Sequence, residues 1–302
     1  MKRRKAGQSG ATRKSKRVMK ENAVLKNEEE EQIVVKSKAN SSHKKKEAKK
    51  TSEEQLLLEL EQDYLTVNRN LKPSVGLHRL QEDFFDVPCE QLAKSLLGKV
   101  LVRRQNDGTL IRGRIVETEC YPGGEDKGSC SYQGKITERT KAVFMKPGVM
   151  FVYLTYGMYH CFNISSQGPG AAVLLRAVEP LDGIEHMQQE RAAMKKGTKK
   201  PELKEHELCN GPAKLCICFN ITKKDCNMRD LCVWDDMWVE ADDLSSKLEP
   251  CHIITSTRIG IDYVGPKWAS LPLRFYLFGY KSVSRVDKAK EKALEGVCRI
   301  LS

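Results

Sequence analysis

Several short runs of apolar residues, some alternating with polar ones and some nearly continuous, predict β-strands in this chain. The runs are Lys99–Arg104, Leu110–Cys120, Phe151–Thr155, Ala171–Val178 and Leu273–Phe278. The first two flank Asn106-Asp107-Gly108. An Asp-Gly pair between apolar runs predicts a tight antiparallel hairpin.

Other segments show the spacing of apolar residues and the end signals that are typical of helices. They are residues 52–64, the segment from Val87-Pro88 to about Leu97, Gly183–Lys195 and Gly211–Phe219. In the first of them Ser52 can cap the helix and Gln55 completes a capping box. Leu56, Leu57 and Leu60 supply its apolar side.

Hairpins mixed with helices, without a series of βαβ units, predict an α+β fold. We expect a single mixed domain, residues 80–298, built on a mostly antiparallel curved sheet with flanking helices and a protruding β-hairpin. Residues 1–79 are expected to be a basic, largely disordered tail that contains the helix 52–64. Asn68–Gly76 has the composition of a linker between the two.

The protruding hairpin is predicted by Phe151–Asn163, which reads FVYLTYGMYHCFN. Gly157 permits a sharp reversal directly after Tyr156. An aromatic ring at the tip of a rigid hairpin is an apolar wedge. It suggests insertion into a stacked nucleic acid.

The net charge of +12 is concentrated near the N-terminal end. Residues 1–50 hold 17 of the 52 Lys and Arg residues and 6 of the 40 Asp and Glu residues, an excess of +11. The other 252 residues therefore carry 35 basic and 34 acidic groups. A segment so charged and so poor in apolar residues buries too little surface to offset its ordering entropy.

Two basic clusters lie in this tail, Lys2–Lys5 and Arg13–Arg17. They predict import into the nucleus or non-specific contact with DNA. A solubilising tail is one alternative. A mitochondrial presequence is another, because residues 1–20 contain no acidic side chain.

The eleven cysteines give no metal or disulfide signature. Most lie within apolar runs, where cysteine behaves as a small hydrophobic residue. Cys216-x-Cys218 is a weak zinc signal, and no His, Asp and Glu cluster has metal spacing. No run of about 18 apolar residues occurs, so we expect no membrane-spanning segment.

Candidate chemistry lies at the end of the predicted strand Leu110–Tyr121, where Ile115, Glu117, Glu119 and Tyr121 would share one face. A carboxylate two residues from a tyrosine, at the entrance to a glycine-rich loop, suits a catalytic pocket. Two surface glutamates at a strand end are the alternative.

Arg176 lies in an otherwise apolar run, AAVLLRAVEP, and a buried guanidinium needs acceptors. Glu119 or Glu117 is an available partner. Such a pair would keep the carboxylate ionised, as a water-activating base requires. A structural ion pair is the alternative. Asn163, on the strand that leaves the hairpin, could read the edge of a base or satisfy a backbone group.

From about Leu80 to Asp287 the chain resembles the vertebrate-type alkyladenine (3-methyladenine, N-methylpurine) DNA glycosylases. The resemblance rests on GRIVETECY, FMKPGVMFVYLTYGMYHCFNISSQGPGAAVLLRAVEP, ELCNGPAKLC and PLRFY. It implies a monofunctional hydrolase that flips damaged purines out of duplex DNA and cuts their N-glycosidic bond, which initiates base excision repair. Substrates in such families include 3-methyladenine, 7-methylguanine, hypoxanthine and ethenoadenine.

The resemblance also implies a protein that acts on double-stranded DNA without a metal or redox cofactor. We expect a monomer in the nucleus, with a minor mitochondrial pool, whose tail contacts repair proteins. Glu119 matches the general base that activates a water, and Arg176 matches the arginine beside that water. Tyr156 matches the residue that fills the gap left by the flipped nucleotide.

The base pocket follows from the same resemblance. Tyr121 and Tyr153 match its aromatic walls, and Asn163 matches the side chain that crowds the exocyclic amine of guanine. The positions expected near the DNA backbone are Lys135, Thr137, Arg191 and Lys214.

The chain departs from the family pattern at Cys130-Ser131, where the family usually has a His-Ser pair. The histidine ring forms part of the base pocket, and its stacking surface is lost in Cys130. We expect catalysis to survive with weaker binding, or a narrower choice, of neutral purine lesions. The alternative to an enzyme is a DNA-damage binding protein that uses Tyr156 as a wedge and excises nothing.

Overall fold

The computed structural model describes residues 54–69, 71, 78–194, 202–242 and 252–301. Both basic clusters of the tail and the predicted Ser52 cap lie outside these residues. The chain divides into a unit up to Glu59 and a compact unit from Leu60 to Ser302. The fold described below is that of the compact unit.

The described residues form nine α-helices and eight strands. The helices are α1 (54–68), α2 (Glu82–Phe85), α3 (Cys89–Ser95), α4 (Ile184–Ala193), α5 (Glu205–Leu208), α6 (Pro212–Cys218), α7 (Lys223–Cys226), α8 (Pro266–Ala269) and α9 (Lys288–Leu301). The strands are β1 (Val100–Arg104), β2 (Leu110–Tyr121), β3 (Met150–Thr155), β4 (Tyr159–Ser165), β5 (Ala172–Asp182), β6 (Met237–Glu240), β7 (Ile253–Ser256) and β8 (Arg274–Leu277).

One antiparallel sheet contains all eight strands, and the long strand β2 is at its centre. The strand order is β3-β4-β5-β2-β1-β6, and β8 pairs with both β2 and β7. β2 pairs with β5 from Arg112 to Tyr121 and with β8 from Glu117 to Glu119. This arrangement confirms the predicted α+β fold with a mostly antiparallel sheet.

The core lies where α3 and α6 pack on the middle of the sheet. Leu92 of α3 and Leu215 of α6 belong to one apolar cluster with Phe162 of β4 and Val173 of β5. Gly113 allows a close approach here, because an added Cβ would lie 2.7 Å from Val178 Cγ2 and 3.0 Å from Phe219 Cζ. The strands that carry the polar site described below are thus held by helices packed on the same sheet.

Helix α1 differs from its prediction. It extends to residue 68 rather than 64, and Leu57, predicted on the apolar side, is exposed. Asn68, predicted to begin a linker, is buried: its Nδ2 donates to the Met228 carbonyl at 3.0 Å, and its Oδ1 accepts from the Asp230 N–H at 3.2 Å. Residues 70 and 72–76 of the predicted linker lie outside the described residues.

The C-terminal half of α1 packs on the compact unit. Leu60 clusters with Met145 and Val149, and the Tyr64 hydroxyl donates to Asp230 Oδ2 at 2.6 Å. The domain range 80–298 stays a prediction, but these contacts show that the compact unit already includes residues 60–68.

We expect Leu60→Ala to lower the free energy of unfolding by about 2–5 kcal/mol, because it removes buried methyl groups and leaves a cavity. The matched control is Leu65→Ala on the exposed side of the same helix, with an expected change within about 0.5 kcal/mol. Chemical denaturation followed by tryptophan fluorescence measures both. Equal midpoints for Leu60→Ala and the wild type would show that α1 is not part of the cooperative unit.

Candidate active site

The C-terminal end of β2 presents Glu117, Glu119 and Tyr121 at alternate positions. Both glutamates are completely buried. The register with β5 shifts on either side of Glu117, and Ile115 packs in the apolar core. Of the four residues predicted to share a face, the three polar ones thus lie at the site and Ile115 lies in the apolar core.

Arg176 of β5 joins the two carboxylates. Its Nε lies 3.2 Å from Glu117 Oε1. Its terminal nitrogen NH1 lies 3.2 Å from Glu119 Oε2. Burial alone lowers the pKa of Arg176, but the charges of Glu119 and then Glu117 outweigh that effect and raise it. The guanidinium therefore stays a cation, and both predicted partners are in contact with it.

Glu117 is held by further donors. Arg274 NH1 donates to its Oε1 at 2.9 Å, and the Ser284 N–H donates to its Oε2 at 2.7 Å. With the Arg176 contact, two cations and a backbone amide surround this carboxylate. Such a fully satisfied buried group is typical of a structural anchor.

Glu119 accepts hydrogen bonds on both oxygens. The Ile259 N–H donates to Oε1 at 2.7 Å, and the Tyr121 hydroxyl donates to Oε2 at 2.8 Å. Burial, and then the charge of Glu119, raises the pKa of the Tyr121 phenol well above its usual range. The phenol therefore stays protonated and remains a donor. These contacts fix the orientation of the Glu119 carboxylate.

A cavity of about 310 Å³ is lined in part by Tyr121, Arg176 and Ile259, the three residues that contact Glu119, while the completely buried Glu119 is not itself among the lining residues. Its size suits a small organic ligand, since such pockets span about 300–1,000 Å³. The predicted site residues that line it are Tyr121, Cys130, Tyr153, Tyr156, Asn163 and Arg176. The structure thus brings together residues that are up to 55 positions apart in sequence. The roles assigned to them stay predictions.

The walls of the cavity are aromatic and amide groups with an exposed thiol. Burial is the main cause of a raised pKa for the Tyr153 phenol, which stays neutral. Asn163 is buried, and its Nδ2 donates to the Phe151 carbonyl at 3.2 Å across the β3–β4 hairpin. Cys130 is exposed. Its neighbour Ser131 is buried and donates to the Gly170 carbonyl.

Tyr156 lies at the tip of the β3–β4 hairpin and is 88% exposed. Its φ is +50° and that of Gly157 is +68°. Two successive residues with positive φ are typical of the tight hairpin turn, and the left-handed conformation is uncommon for a tyrosine. The hairpin therefore holds a large ring out into solvent beside the cavity.

The four residues expected near the DNA backbone lie in two parts of the chain. Lys135 and Thr137 precede β3, and Arg191 and Lys214 lie in α4 and α6. Thr137 forms a local turn with Thr140, whose hydroxyl also donates to the Lys135 carbonyl at 2.9 Å. Arg191 donates to the carbonyls of Glu207 and Leu208 at the end of α5. Lys214 donates to Asn210 Oδ1 at 2.7 Å. The roles of all four in DNA contact stay predictions.

Several residues around the cavity were not predicted from the sequence. The Arg139 guanidinium lies 4.7 Å from the centre of the Tyr153 ring. Tyr263, in a short 3₁₀ turn, lines the cavity and is 82% exposed. Arg258 lies 4.9 Å from the centre of the Tyr121 ring. None of these has a periodic or motif signal, because their proximity to the pocket arises from tertiary contacts.

Neither a metal site nor a membrane-spanning helix is present among the described residues. Among them, no group of three or more His, Cys, Asp or Glu side chains could hold a metal ion. In the same residues, no helix is both long and apolar enough to cross a bilayer.

The chain matches one protein-family model and several named relatives. The model of a family described as methylpurine-DNA glycosylase matches residues 83–281. The mouse protein named DNA-3-methyladenine glycosylase is 50% identical over 214 residues, which are 71% of this chain and 63% of the mouse protein. The human protein of that name is 49% identical over 220 residues, 73% of this chain and 72% of the human one.

A bacterial relative from Clostridium botulinum, named putative 3-methyladenine DNA glycosylase, is 41% identical over 208 residues. These residues are 68% of this chain and 98% of the bacterial protein. The match spans less than two thirds of the mouse relative. By the extent of these matches, the chain belongs to the methylpurine-DNA glycosylase family.

Proposed function

We propose that this protein is a monofunctional DNA glycosylase that flips damaged purines out of duplex DNA and hydrolyses their N-glycosidic bond, which initiates base excision repair. The observation that carries the proposal is the buried Glu119 carboxylate, oriented by three donors, beside a cavity lined by Tyr121 and Tyr153. The proposed substrates are 3-methyladenine, 7-methylguanine, hypoxanthine and ethenoadenine.

In the proposed reaction Glu119 accepts a proton from a water molecule, whose oxygen attacks the anomeric carbon of the flipped nucleotide. The bond between this carbon and the purine nitrogen breaks, and its electron pair leaves with the base. An alkylated purine is cationic and leaves readily. A neutral lesion such as hypoxanthine needs a proton at the leaving base. Arg176 lies where its charge can orient the attacking water.

Binding of the flipped base is proposed to use stacking, at about 1–3 kcal/mol per base. The two tyrosine walls favour electron-poor rings, and Asn163 crowds the amine that distinguishes guanine. Flipping costs a few kcal/mol and costs least at damaged or mispaired bases. Tyr156 would fill the gap that the nucleotide leaves, which is consistent with its exposure at the hairpin tip.

The wider setting is also a proposal. We propose a monomeric protein that lies in the nucleus, with a minor pool in mitochondria. Its basic tail is proposed to support import, DNA contact or contact with repair proteins. Lys135, Thr137, Arg191 and Lys214 are proposed to face the DNA backbone. A damage-binding protein that uses Tyr156 as a wedge without excision stays the alternative, and it predicts that no free base is released.

We expect Glu119→Gln to abolish release of damaged bases, a loss of at least about 10²–10⁴-fold, because the amide cannot accept the proton of the water. Binding to lesion-containing duplex should persist. Single-turnover release of 7-methylguanine and gel-shift affinity measure the two properties.

The matched control is Glu117→Gln, which changes the neighbouring anchor. It should lower stability, by about 3–5 kcal/mol, since it breaks a buried ion pair. Its folded fraction should still release bases. Release by Glu119→Gln at the wild-type rate would show that Glu119 is not the base.

A second prediction concerns Cys130. Cys130→His adds a ring to the wall of the cavity, so we expect about tenfold tighter binding of duplexes with hypoxanthine or ethenoadenine, at the low end of a stacking energy of about 1–3 kcal/mol. Cys130→Ala, which adds no ring, should stay near the wild type. Equal affinities and single-turnover rates for Cys130→His and the wild type would show that residue 130 does not determine the binding or release of neutral purine lesions.

A further inference from the structure

Arg258 and Asp126 form a buried ion pair that the proposed reaction does not use. The two guanidinium nitrogens NH1 and NH2 of Arg258 lie 2.6 Å and 2.8 Å from Oδ2 and Oδ1 of Asp126. The residues are only 4% and 2% exposed. Burial of such a pair costs desolvation energy, and apolar residues in its place are often no less stable. Stability alone is therefore a weak reason for this pair.

Arg258 contacts the strand that carries the candidate base and the aromatic wall. Its NH1 donates to the Cys120 carbonyl at 3.3 Å, between Glu119 and Tyr121. Its guanidinium packs 4.9 Å from the Tyr121 ring centre. Arg258 is not among the described residues that line the cavity. It therefore supports the tyrosine ring from outside the cavity.

The residue after Arg258 contacts Glu119 directly. The Ile259 N–H donates to Glu119 Oε1 at 2.7 Å. The Ile259 N–H belongs to the peptide unit that joins it to Arg258, so the contacts that anchor Arg258 also restrain the position of this amide. Arg258 NH2 also donates to the Trp268 carbonyl at 3.2 Å, which links the segment to α8.

Asp126 organises the loop that contributes Gly128, Ser129 and Cys130 to the cavity lining. Its Oδ1 accepts from the Gly128 N–H at 3.1 Å, and its Oδ2 accepts from the Ser129 hydroxyl at 2.7 Å. Ser129 in turn accepts from the Gly123 N–H at 3.0 Å. These bonds shape the loop that ends in Cys130. Gly128 leaves room for the pair, since an added Cβ would lie 3.0 Å from Arg258 NH2.

We propose that the Arg258–Asp126 pair is a positioning element for the reaction. It sets the Tyr121 ring, the Ile259 amide on Glu119 and the loop that carries Cys130 in one fixed arrangement. The inference rests on the proposed function. It assigns Arg258 and Asp126 a role in the rate of the chemical step rather than in affinity for DNA.

The test compares Arg258→Lys with Arg79→Lys. Lysine keeps the charge but loses the two-pronged contact. Arg79 is not among the residues that line the cavity. It is a matched control because it is also buried, donates to Asp235 Oδ1 at 3.2 Å and donates to the Trp234 carbonyl at 2.7 Å. Thermal denaturation of both variants identifies an assay temperature at which each of them is folded.

We expect Arg258→Lys to lower the maximal single-turnover rate of ethenoadenine release about 100-fold, as for a misplacement near 1 Å in an active site. Its dissociation constant for duplex with a tetrahydrofuran abasic analogue should change by less than about threefold, or 0.7 kcal/mol, because that analogue has no base in the pocket. Arg79→Lys should change neither quantity by more than this.

A maximal rate for Arg258→Lys equal to that of Arg79→Lys overturns the positioning role while the proposed function stands. A wild type that releases no base overturns the proposed function, and the positioning role with it. If Arg258→Lys does not fold, Asp126→Asn is measured in the same way, since asparagine keeps the size of the side chain and one acceptor oxygen.

Discussion

The Arg176 guanidinium is shared by two completely buried carboxylates, and the geometry of the cavity depends on this interaction. In the β2–β5 register Glu119 lies opposite Leu174 and Glu117 lies opposite Ala177, so an arginine at 176 reaches both. Loss of one partner would leave an uncompensated buried charge, at a cost of about 3–5 kcal/mol. The sheet register and the site are therefore fixed by the same contacts.

The two carboxylates have different surroundings and so suit different tasks. Glu117 is enclosed by Arg176, Arg274 and a backbone amide, which suits an anchor. Glu119 is in contact with the cavity through its partners, because Tyr121 and Arg176 both bind its carboxylate and both line the cavity. Tyr156, the proposed wedge, lies at the tip of the hairpin whose second strand carries Asn163. The proposed wedge and one residue of the cavity lining are thus parts of the same hairpin.

Much of this arrangement follows from sequence, for identifiable reasons. The two-residue strand period places Glu119 and Tyr121 on one face, an arginine in an apolar run requires a carboxylate, and Gly157 predicts the turn beside Tyr156. Arg258 and Tyr263 were not predictable, because the segment that follows β7 is brought to the C-terminal end of β2 only through the pairing of β7 with β8 and of β8 with β2.

The proposed glycosylase activity is measured most directly as base release from duplexes that each contain one modified purine, with the wild-type protein in the presence and absence of EDTA. We expect free damaged purine to be released while the sugar-phosphate strand stays intact, no release from undamaged duplex, and no effect of EDTA. Binding of these duplexes without any released base would rule out the proposed activity and favour a damage-binding protein that uses Tyr156 as a wedge.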